Sequence, residues 1–485
     1  MQSKRKVAKL FKRATTFILN NLILMTILTC VSIAILMRSY FWGINMHSDG
    51  MSYLRLAKEI LKGNAFYENP GSWASIWPVG YSTIIAVISF ITWMEVYPAA
   101  VFISVVTVWL MGIILYKRFG QTAWVYALVM LNTGFLMIFY WISSEIPFIL
   151  GMIIFAFTTA DIIVSDTVKK SHYIKLSLAT MLMFLTRYVG VFAFAVFALL
   201  WIYNVCIVCK QRKSNDHPNL RHTALKRVKY LTISAGVTAL SVAAYLLVNY
   251  IAGGHIVGYG RSASLSDLSR GHFVMMISNL GNNQLREMNN IFGTFVSIEQ
   301  SKLALPLWFA FIAFSLGAII MNKELIRKRN QEIIVPVVFL AIGVIYWISM
   351  VAMRFLSINT DIYFRFLLPS TAMLFIGFIG LLMQNRKIRE YTAKMSGVKP
   401  DSSLVALKDK TTILNIITAI CLSLFLLIQL IFVPILYDSL GFGGYKSIKK
   451  AVQTTNELPK DIPGLGGASH EVYEEFFRYL WNESE

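Results

Sequence analysis

Asp49 is the residue of this chain whose type and position most clearly indicate chemistry. It follows directly after the first long apolar segment, within the stretch 46–57. Tyr53 and Ala57 follow at intervals of four residues, the spacing that places side chains on one face of a helix. A carboxylate at the start of such a helix could simply cap its first turn. Its place next to an aromatic side chain just beyond a membrane span instead predicts chemistry at the membrane surface.

A second carboxylate and two guanidinium groups lie at the ends of later apolar runs. Glu145 opens the run from 146, Arg187 lies in a short turn between two runs, and Arg365 precedes the run from 366. A carboxylate is tolerated at the end of a span better than at its centre, so Glu145 could be an interfacial cap or a site residue. One guanidinium group can donate two hydrogen bonds to the oxygens of a phosphate, which makes Arg187 and Arg365 candidate phosphate ligands. Binding of ordinary lipid headgroups is the alternative for both arginines.

The composition fixes the class of protein that must position these groups. Of 485 residues, 56% are hydrophobic and 14% are charged, and the mean hydropathy is +0.60. These values are too apolar for a soluble domain. The net charge of +20 could indicate nucleic-acid binding. The lysines and arginines lie instead in short clusters between apolar runs, as expected for connectors that orient membrane spans. We therefore predict an all-α polytopic membrane protein without a nucleic-acid partner.

Runs near the roughly 20 residues that cross a bilayer recur along the chain. They lie near 17–37, 97–116, 122–141, 146–164, 173–208 (two spans), 229–251, 305–321, 333–353, 366–383 and 412–436.

The segment 77–94 decides the topology. If it does not cross, all the basic clusters lie on the side of the basic N-terminal tail; if it crosses, they all move to the opposite side. The inside bias of Lys and Arg favours the first arrangement. We predict about 11 transmembrane helices, or 12 if 77–94 crosses, with about 20 residues needed for each. The first external loop, 38–96, would then be helical, with 77–94 lying along the outer face. We interpret the run 17–37 as a retained signal anchor.

The order of several short motifs resembles the GT-C superfamily of glycosyltransferases. These motifs are Asp49-x-x-x-Tyr53-x-x-x-Ala57, Pro78-x-Gly80-Tyr81, Ser144-Glu145-Ile146-Pro147, Leu185-Thr186-Arg187-Tyr188 and Phe364-Arg365-Phe366. Members take a sugar from a polyprenyl-phosphate carrier, and they include protein O-mannosyltransferases and aminoarabinose transferases. The resemblance covers residues 17–205 well and the rest loosely.

The resemblance implies roles for the candidate residues. An acidic residue of the first external loop lies in the active site of the family, as catalytic base or metal ligand, and this role passes to Asp49. Glu145 matches the second acidic motif. Arg187 and Arg365 would bind the donor phosphate, because a departing polyprenyl phosphate needs positive charge to stabilise it. The resemblance thus implies an inverting hexosyl- or pentosyltransferase that acts on a lipid, glycan or protein acceptor.

Five further residues are candidate substrate-binding groups: His47, Tyr53, Tyr81, Arg261 and Arg270. No second acidic residue lies beside Asp49, as it does in the metal-dependent families. We therefore predict no metal ligands and no cofactor, although His47 leaves a divalent metal open. The four cysteines lie within or at the ends of apolar runs and define no disulfide framework.

The predicted organisation has four parts. Residues 1–16 form a cytoplasmic basic tail, 17–208 a catalytic module with the external loop, 209–436 a second transmembrane bundle with an external loop at 252–304, and 437–485 an external tail. The predicted location is the bacterial plasma membrane. The sequence does not identify the sugar, the acceptor, the carrier length or the oligomeric state.

Two other functions fit some of these features. A transporter or flippase of an anionic lipid or solute would use several spans and buried arginines, but it predicts paired broken helices near the middle of the membrane. A non-catalytic envelope assembly protein would need neither Asp49 nor Glu145. The outer placement of the polar residues favours the enzyme over both.

Overall fold

The computed structural model of the chain is predominantly helical. It describes residues 21–41, 48–64, 66–69, 72–214, 218–257, 312–327, 329–355, 364–384, 388 and 392. The α-helices are α1 Leu22–Phe41, α2 Ser48–Lys62, α3 Gly80–Thr92, α4 Val96–Phe119, α5 Ala123–Ala127, α6 Thr133–Phe139, α7 Glu145–Val164, α8 Lys170–Thr186, α9 Ala193–Ser214, α10 Pro218–Gly253, α11 Ile312–Met321, α12 Lys323–Arg327, α13 Gln331–Phe355 and α14 Phe364–Leu382. Short 3₁₀ turns occupy Gly120–Thr122, Leu128–Leu131 and Tyr188–Phe192. One antiparallel ribbon joins β1 Tyr67–Asn69 to β2 Ser72–Trp73.

Seven helical segments of the described residues are long and apolar enough to cross a membrane. They are Leu22–Tyr40, Val96–Leu131, Glu145–Val164, Tyr188–Gln211, Leu220–Gly253, Gln331–Met353 and Arg365–Leu382. Backbone polar groups in hydrocarbon need partners within the segment, which is why such apolar runs become helices. The helical, multi-pass class predicted from the sequence is confirmed.

The segment 77–94 contains the short helix α3. Its 13 residues span about 20 Å at 1.5 Å per residue, which is less than the roughly 30 Å hydrocarbon core of a bilayer. One face is buried, whereas the other exposes apolar side chains, and Trp93 at the end of the helix is 93% exposed. Length and exposure favour a helix that lies against the protein at the membrane interface. The total number of spans stays a prediction.

Three segments differ from their predicted form. The predicted span 122–141 is broken into the short helices α5 and α6 with a 3₁₀ turn between them, and Asn132 caps α6 by accepting a hydrogen bond from the amide of Gly134 at 2.8 Å. The helices of the predicted spans 173–208 and 229–251 are longer than predicted, because α9 continues to Ser214 and α10 begins at Pro218. The first external loop, predicted as helical, also contains the β1–β2 ribbon. The predicted span 412–436 and the tail from 437 lie outside the described residues.

The chain forms two compact units, each assembled from separate stretches. Unit 1 comprises Met1–Ser48, Val101–Trp141 and Leu382–Glu485. Within it, the indole Nε1 of Trp109 donates to Ser32 Oγ at 3.0 Å, joining α4 to α1. The rings of Phe119 and Tyr126 stack with centroids 3.7 Å apart. The four-part division of the chain made from the sequence stays a prediction.

Unit 2 comprises Asp49–Ala100 and Ile142–Leu381 and contains the candidate site. Helix α7 packs against α8 and α13, α9 packs against α10, and α8 also packs against α10. Aromatic side chains fill the space between these helices; Phe148 and Phe192, for example, both contact the ring of Tyr346. Ser370 of α14 donates to the carbonyl of Gly343 in α13 at 2.9 Å, which fixes these two helices side by side.

Candidate active site

Asp49 and Arg365 form an ion pair within unit 2. Asp49 lies in the first turn of α2, where the positive end of the helix dipole favours a carboxylate. Its Oδ2 lies 2.7 Å from Nη2 of Arg365, near the start of α14. More than 300 residues of sequence separate the two partners. Their contact requires the N-terminal ends of α2 and α14 to lie together.

Glu145 and Arg187 form a second ion pair. Glu145 is the first residue of α7, and Arg187 follows the last residue of α8 in an extended conformation. Arg187 Nη1 contacts Glu145 Oε1, and the hydroxyl of Ser143 donates to Glu145 Oε2. Both carboxylate oxygens of Glu145 therefore have a partner. The contact also requires the ends of α7 and α8 that carry the pair to lie on one side of the membrane.

Two glycines allow the backbone approaches that assemble this site. A Cβ at Gly50 would lie 3.0 Å from the carbonyl oxygen of Ile142, so α2 lies directly against the segment that leads into α7. A Cβ at Gly80 would lie 2.5 Å from the carbonyl oxygen of Leu185, so the start of α3 lies against the end of α8. Any side chain at Gly80 would force these elements apart, which would also move the neighbouring Arg187.

Tyr53 and Tyr81 lie beside the ion pairs. The hydroxyl of Tyr53 is 2.9 Å from that of Ser144, and its ring contacts Tyr81 edge-on with centroids 5.1 Å apart. The ring of Trp77 is also near, at 6.2 Å. Burial, followed by the negative charges of Asp49 and Glu145, raises the pKa of Tyr53 well above its ordinary value of 10.0. This hydroxyl is therefore neutral at physiological pH and cannot act there as a phenolate base.

Phe366 contacts both arginines, a role that the sequence did not predict. The guanidinium carbon of Arg365 lies 4.8 Å from the centroid of the ring, and that of Arg187 lies 5.1 Å from it. The hydroxyl of Tyr346 donates to the backbone carbonyl of Phe366 at 2.9 Å. An aromatic residue directly after Arg365 was visible in the sequence, but the approach of Arg187 depends on tertiary packing.

The four charged groups interact with one another. Glu145 is within electrostatic range of Arg187, Arg365 and Asp49. Two carboxylates and two guanidiniums sum to a neutral cluster, which limits the cost of removing these groups from water. An anion could bind to the two guanidiniums of this cluster only if they loosened their contacts with the carboxylates.

A second polar network fixes the loop between β1 and α3 against helix α10. Trp73 Nε1 donates to Asn249 Oδ1 at 3.1 Å, and Asn249 Nδ2 donates to the hydroxyl of Tyr188 at 3.1 Å. The Tyr188 hydroxyl donates in turn to the carbonyl of Ser75 at 2.9 Å. The hydroxyl of Tyr245 accepts from the amide of Val79 at 3.2 Å. All these groups are neutral. The network therefore fixes Tyr188, the residue next to Arg187.

The structure brings together Asp49, Glu145, Arg187, Arg365, Tyr53 and Tyr81, all of which were candidates from the sequence. His47, Arg261 and Arg270 lie outside the described residues. Within the described part of the chain, no three His, Cys, Asp or Glu side chains are grouped so that they could hold a metal ion. The predicted roles of the site residues, and the predicted independence of metal, stay predictions.

Comparison with known proteins gives one solved structure for this chain. It is the archaeal oligosaccharyltransferase AglB from Archaeoglobus fulgidus, in complex with an inhibitory peptide and a dolichol-phosphate, at 12% sequence identity and a TM-score of 0.46. The match covers 93% of this chain and 59% of that one, so the chain corresponds to little more than half of the archaeal protein. No protein-family model matches the chain, and no curated protein does.

Proposed function

We propose that this protein is a membrane glycosyltransferase of the GT-C type that moves a hexosyl or pentosyl group from a polyprenyl-phosphate donor to an acceptor. The reaction takes place at the non-cytoplasmic face of the membrane, for which the bacterial plasma membrane is our proposal. The N-terminal tail lies in the cytoplasm and the C-terminal tail outside.

The observation that carries this proposal is the convergence of the four charged side chains in unit 2. Asp49, Glu145, Arg187 and Arg365 come from four separate parts of the chain and form two ion pairs. Glu145, Arg187 and Arg365 each lie at or beside the end of an apolar helix. A buried ion pair contributes little to stability compared with apolar packing. Two such pairs at one end of a membrane bundle therefore favour a chemical role.

The proposed reaction is a direct displacement. An acceptor hydroxyl or amine attacks the anomeric carbon, and the new bond forms as the bond between that carbon and the phosphate oxygen breaks. The electron pair of the broken bond remains on the departing polyprenyl phosphate, where Arg187 and Arg365 stabilise the charge. The acceptor proton passes to Asp49. A single displacement of this kind inverts the configuration of the sugar.

The environments of the two carboxylates favour Asp49 as the base. Its side chain is 12% exposed, whereas that of Glu145 is 3% exposed. Both oxygens of Glu145 already have a partner, Arg187 and Ser143 respectively. We assign Glu145 to positioning Arg187 in the site before the donor binds. Tyr53 is within electrostatic range of both carboxylates, and the ring of Tyr81 packs edge-on against it.

The ion pairs also explain how the site could respond to its donor. The negative charge of a phosphate competes with Asp49 and Glu145 for the guanidiniums, and charge-assisted bonds to phosphate are strong. Binding of the donor would loosen the hold of Arg365 on Asp49. The carboxylate then becomes available to accept a proton when the donor is present.

The site residues that the structure describes, which do not include His47, do not fit a divalent cation. Each carboxylate is paired with a guanidinium, and the two guanidiniums would repel a further positive charge. We therefore propose a reaction in which the arginines supply the positive charge, and no step of it involves a metal.

The test is turnover by the purified full-length protein. Incubation with a panel of polyprenyl-phosphate sugars, with and without a membrane extract as acceptor source, should release polyprenyl phosphate, and a chelator should not change the rate. The Asp49→Asn variant should be inactive at normal membrane levels. Release that continues in Asp49→Asn would overturn the catalytic assignment. Movement of the intact lipid across proteoliposomes without release would show a flippase instead.

A further inference from the structure

Phe366 occupies a position that none of the proposed chemical steps uses. Its ring lies against the guanidiniums of Arg187 and Arg365, which arrive from different parts of unit 2, at 5.1 Å and 4.8 Å. Arg365 is adjacent to Phe366 in sequence, but Arg187 belongs to the turn after α8. One ring therefore contacts both of the positive groups assigned to the donor phosphate.

We propose that Phe366 is a positioning residue that fixes the spacing of the two guanidiniums and so determines the affinity of the site for a polyprenyl phosphate. The inference rests on the proposed function, because it assigns Phe366 to the same phosphate site.

The physical basis is the cation–π interaction. The negative face of an aromatic ring attracts a guanidinium, and the attraction is strongest where water is excluded. Like charges repel each other, so two arginines at one phosphate would separate if only their carboxylate partners held them. When the donor competes for those guanidiniums, the ion pairs weaken, but the contacts to the uncharged ring remain. Phe366 would thus hold the arginines in place at the moment when the carboxylates release them.

The backbone that carries the Phe366 ring is itself fixed. The hydroxyl of Tyr346 donates to the carbonyl of Phe366 at 2.9 Å. Tyr346 is fully buried between α7 and the 3₁₀ turn Tyr188–Phe192, in contact with Phe148 and Phe192. Phe339 of α13 is also fully buried, and its ring contacts Phe157, away from both ion pairs. It therefore provides a matched control for the loss of a ring from this core.

The experiment measures binding of a short-chain polyprenyl phosphate, with inorganic phosphate as a headgroup probe, to the full-length protein in detergent. We expect Phe366→Leu to weaken binding of the lipid phosphate about ten-fold or more, since two desolvated cation–π contacts are lost. Phe366→Trp should restore binding, and Phe339→Leu should change it less than about two-fold, because the control removes no contact of this kind. In turnover assays Phe366→Leu should raise KM more than it lowers kcat.

A graded series keeps the test independent of folding. Replacing Phe366 by mono-, di- and trifluorinated phenylalanine weakens the negative face of the ring while nearly preserving its shape, so affinity should fall stepwise with each fluorine. Equal losses in Phe366→Leu and Phe339→Leu, or a flat response to fluorination, would overturn the inference. If Arg187→Gln abolishes binding while Phe366→Leu does not, the proposed function stands and the role of Phe366 fails. If the wild-type protein binds no lipid phosphate, both fail.

Discussion

Two polar clusters of unit 2 fix the loop before α3 and the turn after α8, and they use opposite chemistry. The cluster around Asn249 consists of neutral groups joined by hydrogen bonds of 2.9–3.1 Å. The cluster around Asp49 consists of four charges in two ion pairs. Neutral hydrogen bonds satisfy buried polar groups at little cost. If holding the elements together were the only need, charges would not be required.

The difference therefore separates residues that support the fold from residues suited to take part in the reaction. The Asn249 cluster fixes Tyr188, the neighbour of Arg187, and has no titratable acid that is ionised at neutral pH. The Asp49 cluster contains two carboxylates and two guanidiniums, groups that accept protons and bind anions. Substitutions in the first cluster should change stability, and substitutions in the second should change turnover.

The largest expected effect is that of Asp49→Asn. The substitution preserves shape and removes the basic oxygen, so kcat should fall by about 10²–10⁴-fold, the usual contribution of a general base. Arg365 loses its charged partner but keeps a hydrogen-bond acceptor and the attraction of Glu145. Because Asp49 is also more exposed than Glu145, the protein should reach the membrane at normal levels. The measurement is release of polyprenyl phosphate per mole of detergent-purified protein. Glu59→Gln, in the same helix but outside the cluster, is the control and should retain turnover.

Much of the charged cluster was predictable from the sequence. Asp49, Glu145, Arg187 and Arg365 all stand at the ends of apolar runs, where a charge is unusual enough to be noticed. Their pairing was not predictable, because it depends on which helix ends meet. The sequence predicted the donor phosphate, or else lipid headgroups, as the partner of the arginines, and the structure shows a carboxylate in contact with each.

The neutral cluster was missed for a physical reason. Asn249 lies within an apolar helix, where no local pattern marks it. Tyr188 was noticed only as part of the motif that contains Arg187, and its hydrogen bonds depend on tertiary packing. The break of 122–141 into short helices was missed as well, since its apolar residues resemble those of a continuous span. The close approach of Gly80 to the carbonyl of Leu185 has no local sequence signal beyond the glycine itself.

The second prediction concerns the Glu145–Arg187 pair. Arg187→Gln leaves Glu145 buried without its positive partner, which typically costs about 3–5 kcal/mol, so the thermal unfolding temperature in detergent should fall clearly. The double variant Glu145→Gln/Arg187→Gln removes both charges and should recover most of that stability, while turnover stays low. Recovery of turnover in the double variant would mean that the pair has only a structural role.

The third prediction addresses the neutral cluster. Asn249→Ala removes the partner of Trp73 Nε1 and one partner of the Tyr188 hydroxyl, and unsatisfied buried groups of this kind cost about 1–3 kcal/mol. We expect a lower unfolding temperature with kcat unchanged below that temperature. Ser241→Ala, on an exposed part of α10, removes only a bond to the backbone of its own helix and is the control. A fall in kcat larger than ten-fold at a temperature where Asn249→Ala is folded would place this cluster in the chemistry.

The smallest expected effect is that of Tyr53→Phe, and it tests where the boundary between the two clusters lies. Tyr53 contacts the charged cluster, but its hydroxyl makes a neutral hydrogen bond to Ser144, and loss of one such bond costs about 0.5–1.5 kcal/mol. Because burial and the neighbouring carboxylates raise the pKa of Tyr53, the hydroxyl remains protonated throughout the pH range of an assay. Tyr53→Phe should therefore leave the shape of the pH–rate profile unchanged and reduce kcat less than ten-fold. Ser144→Ala, which removes the other partner, should behave in the same way. A shift of the alkaline limb in Tyr53→Phe but not in Ser144→Ala would assign a proton to the tyrosine and extend the chemical cluster to include it.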